Sequence, residues 1–191
     1  MSEHLRPTLV LLTLFSLLCG LAYPLAVAGL AGVALPKQAA GSLIEANGTV
    51  IGSELIGQAF TRPGYFHGRP SAAGADGYDA STSSGSNLGP SSRALQARIA
   101  ARVDALKAEN PAAPVPAELV YASGSGLDPD LSPAAADFQV PRVAAIRGLR
   151  TEVLEALIAT HTRPRVIGVF GEPVVNVLAL NRALDALPGA P

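Results

Sequence analysis

Thr8-Leu-Val-Leu-Leu-Thr-Leu-Phe-Ser-Leu-Leu-Cys-Gly-Leu-Ala-Tyr-Pro-Leu-Ala-Val27 decides the architecture of this 191-residue chain. No charged residue occurs between Pro7 and Pro36. About 20 apolar residues in helical form cross the roughly 30 Å hydrocarbon core of a bilayer. The Leu, Val and Phe residues from Thr8 to Leu30 together favour insertion by on the order of 4 to 7 kcal/mol. A water-soluble fold would have to hide a helix that is apolar on every face. The stretch predicts a transmembrane helix over residues 8–31, after a short tail of residues 1–7 and before a single soluble domain over 32–191. Leu9, Leu12, Phe15 and Leu18 are the anchor residues, and Tyr23 suits an interface position.

Two other readings compete for the same residues. Ala26-Val27-Ala28 has the small-residue pattern of a signal-peptidase site, with Leu9 to Leu18 as the apolar core of a leader. Against it, the apolar run continues well past such a core, and only Arg6 and His4 precede it as basic residues. The third reading is a buried core helix. Pro24 is tolerable in a span, where neighbouring groups satisfy the freed carbonyl. Cys19 is the only cysteine, which excludes an intramolecular disulfide and a thiolate zinc cluster. Leu18 stands where a lipoprotein needs a small residue, so Cys19 reads as apolar filling. Arg6 and Lys37 flank the helix almost evenly. A short tail inside and the domain outside is the expected arrangement of such an anchor.

Outside the anchor the numbers exclude more than they assign. The formal net charge is −1 and no basic stripe appears, so nothing favours nucleic acid. There is no Trp and few other aromatics, which leaves no stacking platform for bases. Asn47-Gly48 between β-friendly flanks predicts a hairpin with a type I′ turn over 42–53. Residues 61–92 are rich in Gly, Ser and Pro and read equally well as linker or as ordered functional loop. Ser91 or Ser92 caps a helix carrying Leu95, Ile99, Val103 and Leu106, with Arg93, Arg98, Arg102 and Lys107 on its solvated face. Residues 115–122 are read as extended. Ser132-Pro133 opens a further helix, which Pro141 is expected to break or restart. Thr151 to His161 is helical, and His161 suits its last carbonyls. Val166 to Phe170 is read as a strand, and Val174 to Val177 as a strand leading into a C-terminal helix. Helices and short strands mix without a βαβ rhythm, which makes the class α+β.

The search for chemistry is mostly negative. Neither phosphate-loop nor dinucleotide glycine pattern is present. Ser123-Gly124-Ser125-Gly126 lacks Gly on both sides of either serine at the spacing of a nucleophile elbow. Asp128 and Asp130 lack the alternating ligands of a calcium loop and read as a turn. His4, His67 and His161 have no metal-ligand spacing. His67 lies in Tyr65-Phe66-His67-Gly68-Arg69-Pro70-Ser71-Ala72, the densest cluster of functional residue types. Tyr65, Phe66, His67, Arg69, Tyr78 and Asn87 are the interface candidates. Catalysis by His67 would need a nucleophile and an orienting acid, with Asp76 or Asp79 as candidates for the acid.

These residues resemble KdpC, the C subunit of the bacterial potassium-transporting P-type ATPase. The resemblance is carried in order by Arg6-Pro7, Gly20-Leu-Ala-Tyr-Pro24, residues 38–44, Gly52-Ser-Glu-Leu-Ile-Gly-Gln-Ala-Phe60, Tyr65 to Ala72 and Ser84-Gly-Ser-Asn-Leu-Gly-Pro90. It continues with Ser123-Gly-Ser-Gly-Leu-Asp-Pro129, Gln139-Val-Pro-Arg-Val-Ala144, Val175-Asn176-Val177-Leu178 and Leu180-Asn181. Asp130, Val174 and Ala179 depart from that pattern, where the family usually has His, Arg and an acid. The resemblance implies a non-catalytic accessory subunit of an ATP-driven, high-affinity potassium uptake complex. Its partners would be a potassium-channel-like subunit, a P-type ATPase catalytic subunit and a small single-span subunit, besides membrane lipid. It implies no covalently bound cofactor, and ATP only through the complex, whose affinity for ATP the subunit is proposed to raise as a catalytic chaperone. The implied location is the bacterial cell inner membrane, single-pass, with a periplasmic domain. From a different class, a membrane-anchored periplasmic hydrolase centred on His67 is the alternative.

Overall fold

A computed structural model describes residues 2–187; Met1 and residues 188–191, the outer ends of the expected tail and domain, lie outside the described residues. The chain divides into two units, Met1–Ser53 and Glu54–Pro191.

Helix α1 (Ser2–Leu17) and helix α2 (Tyr23–Ala34) run on through a π turn, Leu18–Ala22. Proline has no N–H, and its ring crowds the turn before it. The Tyr23 N–H donates to the Leu18 carbonyl, one residue further back than in an α-helix, so the wider turn makes room for Pro24. One helix, Glu3–Ala34, is long and apolar enough to cross a membrane. Leu9, Leu12, Phe15, Leu18 and Tyr23 all stand exposed on it. That is the opposite of a buried core helix, and the third reading of the segment is set aside. After the short helix α3 (Pro36–Ala39), strands β1 (Leu43–Ala46) and β2 (Thr49–Ser53) pair antiparallel. Asn47 and Gly48 take φ of 51° and 74°, the two positive values that a type I′ turn needs.

In the second unit the capping residues work as expected. The Ser92 hydroxyl accepts the Leu95 N–H at the start of helix α4 (Arg93–Glu109). Ser132 accepts the Ala135 N–H at the start of helix α5 (Pro133–Arg147), whose first turn holds Pro133. Strands β3 (Asp130–Leu131), β4 (Thr162–Arg163) and β5 (Val174–Asn176) form a small antiparallel sheet in the order β3-β5-β4. Helix α6 (Thr151–His161) ends with His161 Nδ1–H donating to the Leu157 carbonyl at 2.9 Å. Helix α7 (Val177–Asp185) is capped by Asn176, which accepts the Ala179 N–H at 3.0 Å. Phe138, Val143, Leu154, Ile158, Val175, Leu180 and Leu184 build the core between these helices and the sheet. The class is α+β, as expected.

Three local expectations are corrected. Helix α5 passes through Pro141 without a break. The missing N–H leaves the Asp137 carbonyl, four residues earlier, without its helical donor, and Asp137 stands on the exposed face of the helix. Residues 115–122 are not extended, because Ala117–Leu119 forms a 3-10 turn that buries Leu119. Val166 to Phe170 is not a strand either. Only Val166 and Phe170 bridge, and Ile167 and Gly168 between them take φ of 55° and 74°, so the run folds back on itself as a tight, exposed tip.

Candidate functional site: a clamped loop and its cavity

The segment 61–92 has neither helix nor strand, yet Phe66 within it is fully buried. Two side-chain amides account for this. On α7, Asn181 Oδ1 accepts the Phe66 N–H at 2.9 Å and Nδ2 donates to the Phe66 carbonyl at 2.9 Å. On α5, Gln139 accepts the His67 N–H at 2.8 Å and donates to the His67 carbonyl at 3.0 Å. Each amide offers one acceptor and one donor side by side, and so replaces a neighbouring strand. Both amides are buried, where an unpaired backbone group would be costly.

Arginines extend the clamp. Arg142 donates from Nη1 to the carbonyls of Pro63 and Tyr65 and from Nε to Glu109 at 2.8 Å. Arg147 Nε donates to the Gly64 carbonyl at 2.9 Å, and its guanidinium lies 4.6 Å from the centre of the Tyr65 ring. Arg147 and the Tyr65 hydroxyl both donate to Asp185, at 2.8 and 2.9 Å. Further along, Ser71 donates to the Gly126 carbonyl at 2.6 Å and accepts the Tyr78 N–H at 2.7 Å. The Tyr78 hydroxyl donates to the Arg69 carbonyl, and Arg69 pairs with Asp128 at 2.9 Å. Glycine is needed where these strands of loop meet: a Cβ on Gly68 would lie 2.6 Å from the Tyr78 hydroxyl.

Between the clamped loop and α4 lies a cavity of about 550 Å³. His67, Arg69 and Tyr78 line the loop side, and Leu95, Arg98, Ile99 and Arg102 line the α4 side. Arg102 Nε donates to the Leu119 carbonyl at 3.0 Å. Arg69 Nε is buried without a hydrogen-bond partner. Arg69, Arg98 and Arg102 thus line one cavity in which Asp76 is the one lining carboxylate, beside apolar Phe60, Leu95 and Ile99. That combination suits an acidic side chain presented next to an apolar one.

The imidazole of His67 is held neutral. Burial lowers its pKa from 6.5, the Arg142 charge lowers it further, and the hydrogen bond to the Arg62 carbonyl opposes both. Nε2–H donates to that carbonyl at 3.1 Å. Asp79, a candidate orienting acid, accepts instead from Ser81 and Thr82, which lower its own pKa. The wall therefore presents donors and shape, and the geometry favours binding over hydrolysis centred on His67. Among the described residues no group of three or more His, Cys, Asp or Glu side chains is placed to hold a metal.

The structure separates the sequence candidates. His67, Arg69 and Tyr78 share the cavity wall. Tyr65 sits behind it against Arg147. Phe66, expected at an interface, is corrected to a core residue, because the clamp turns its ring inward. Asn87 is exposed, at φ 50°, beside the cavity residue Ser86. Asp130 accepts from Arg163 at 2.5 Å and so ties β3 to β4. Val174 pairs with Arg163 in the sheet. Sequence reasoning missed Gln139 and Asn181, and it read Arg98 and Arg102 as a solvated face. The usable signal was a polar amide on the apolar face of each of two helices.

Comparison with known proteins adds an independent line. The profile of the family KdpC, described as K+-transporting ATPase, c chain, matches residues 5–186. The potassium-transporting ATPase KdpC subunit of Methylobacterium nodulans is 57% identical over 200 residues, covering 99% of this chain and 100% of that protein. The KdpC subunit of Caulobacter vibrioides is 60% identical over 187 residues, covering 97% of this chain and 94% of that protein. That of Rhodopseudomonas palustris is 57% identical over 197 residues, covering 97% and 98%.

Proposed function

The chain belongs to the KdpC family of K+-transporting ATPase c chains, and from that membership we propose that it is the accessory subunit that holds an ATP-driven potassium uptake complex together. The observation that carries the reading is the pairing of one apolar 32-residue helix with a domain whose cavity wall is built for docking. The helix fixes the chain in the bacterial inner membrane, and the domain lies on the periplasmic side. Its partners are a channel-like subunit, a P-type ATPase subunit that carries the ATP chemistry, and a small single-span subunit. The Arg69, Arg98 and Arg102 wall receives an acidic side chain of one of them. A periplasmic domain has no access to cytoplasmic ATP, so any rise in ATP affinity reaches the catalytic subunit through the membrane partners.

Co-purification tests this directly. The tagged full-length chain, extracted in mild detergent, is expected to bring down a channel-like and an ATPase subunit; recovery of the chain alone refutes the reading. Ser83→Cys in a Cys19→Ala background tests the topology. An impermeant maleimide should label it in intact spheroplasts, and labelling only after lysis would put the domain in the cytoplasm.

A further inference from the structure

The exposed tip between β4 and β5 carries no role in the reading above. Its side chains Val166, Ile167, Val169 and Phe170 are 66%, 85%, 69% and 66% exposed. Four large apolar side chains contiguous on one tight turn, where Leu55, Tyr121 and Ile146 are exposed singly, mark an interaction site. Ile167 adds a second oddity: it is β-branched and sits at φ 55°, a region such residues avoid. The turn is nevertheless closed by its own backbone. The N–H groups of Val166, Gly168, Val169 and Phe170 are all bonded within it.

Three occupants compete, and the structure separates them. A stable dimer uses about 20–30 residues a side, which four side chains do not approach. A bilayer offers apolar volume but no hydrogen-bond donors, and backbone carbonyls inside hydrocarbon need donors. Among the described residues, the carbonyls of Ile167, Gly168 and Val169 accept no backbone hydrogen bond. Lipid headgroups also favour unpaired cations beside an apolar tip. Here Arg165 is paired with Glu172 and Arg163 with Asp130, so the flanks are neutral. A protein groove supplies both apolar walls and donors. A small contact suffices there, because a membrane anchor on the same chain raises the effective concentration of the tip at a membrane-embedded partner.

We propose that the 166–170 tip is a plug that seats in an apolar groove, rimmed by backbone donors, on an integral-membrane partner subunit of the same complex. The proposal rests on the accessory-subunit reading. The test uses the full-length chain co-expressed with its complex. Ile167→Asp with Phe170→Asp should cut the co-purified partner at least tenfold while the thermal melting of the chain stays at its wild-type value. Val169→Ser with Phe170→Ser, which leaves the Ile167-Gly168 turn intact, should act in the same direction if the aspartates disturb folding. Wild-type recovery in both folded variants overturns the plug and leaves the accessory reading standing. Absence of partner with the unaltered chain overturns both. Two further outcomes also overturn it. The chain has no Trp, so Phe170→Trp is a single reporter, and quenching by brominated lipid in vesicles holding this chain alone would assign the tip to the bilayer. Disulfide-linked homodimers of Ile167→Cys, with Cys19→Ala, would assign it to a second copy.

Discussion

Replacing Asn181 by leucine is the sharpest test of how the 61–92 loop is held. Leucine has the branching of asparagine, is somewhat bulkier, and carries neither donor nor acceptor. The change strands the N–H and the carbonyl of Phe66, both bonded to Asn181 at 2.9 Å in a buried setting. A buried backbone group without its partner costs about 1–3 kcal/mol. Two of them give roughly 2–6 kcal/mol, from which the added apolar contact of leucine subtracts a little, so about 3 kcal/mol is expected. At a urea slope of about 2 kcal/mol per molar, the unfolding midpoint should fall by about 1.5 M. The assay is urea unfolding of the full-length chain in detergent, followed by circular dichroism, with hydrogen exchange of the Phe66 amide as the local readout. Ser83→Ala, on the loop surface, is the control and should stay within about 0.5 kcal/mol. A midpoint shift under about 0.3 M together with unchanged protection of the Phe66 amide would refute the clamp.

The remaining expectations are independent of that one. Phe66→Ala removes a fully buried ring and should cost about 3–5 kcal/mol; a wild-type melting curve with weakened assembly would return Phe66 to the interface. The folded His67 pKa is lowered from 6.5, so the unfolded chain takes up a proton near pH 6.5 that the folded chain refuses. Stability is then full above pH 6.5 and falls as the pH drops below it; His67→Gln should flatten that slope, and an unchanged slope refutes the assignment. Gly68→Ala drives a methyl against the Tyr78 hydroxyl, 2.6 Å away, at a cost of about 1–3 kcal/mol. Adding Tyr78→Phe should recover part of the loss, and strict additivity in the double-mutant cycle would show that the two groups do not meet.

Local chemistry was legible wherever one residue does one local job. Asn47-Gly48 made its turn, Ser92 and Ser132 made their caps, and His161 found the Leu157 carbonyl in the final stretch of its helix. The long apolar helix was legible because an unbroken run of apolar residues defines it by itself. What failed were places where a distant partner decides. The loop 61–92 was equally a linker or an ordered element, since its order comes from amides 72 and 115 residues away along the chain. Pro141 was read as a breaker because the rule counts the missing N–H and knows nothing of the packing that buries Val140, Val143 and Ala144 around it. The run Val166 to Phe170 has the composition of a buried strand, and only the positive φ values at Ile167 and Gly168 turn it outward. In the candidate site, Arg69, His67 and Tyr78 were found by their residue types. Arg98 and Arg102 were missed because an arginine facing a cavity and one facing solvent look alike in helical spacing.

The amide clamp also sets an order of events during synthesis. Phe66 and Asn181 are separated by 115 residues, and Asn181 lies close to the end of the chain. At a synthesis rate of about 5–20 residues per second, the loop waits roughly 6 to 23 s between its own appearance and that of its partner. For that interval the Phe66 ring and its two backbone groups lack the Asn181 amide that holds them in the folded chain. The early loop of the domain is therefore clamped only after the final helix has been made, and a truncation of that helix alone would leave the loop open to proteolysis.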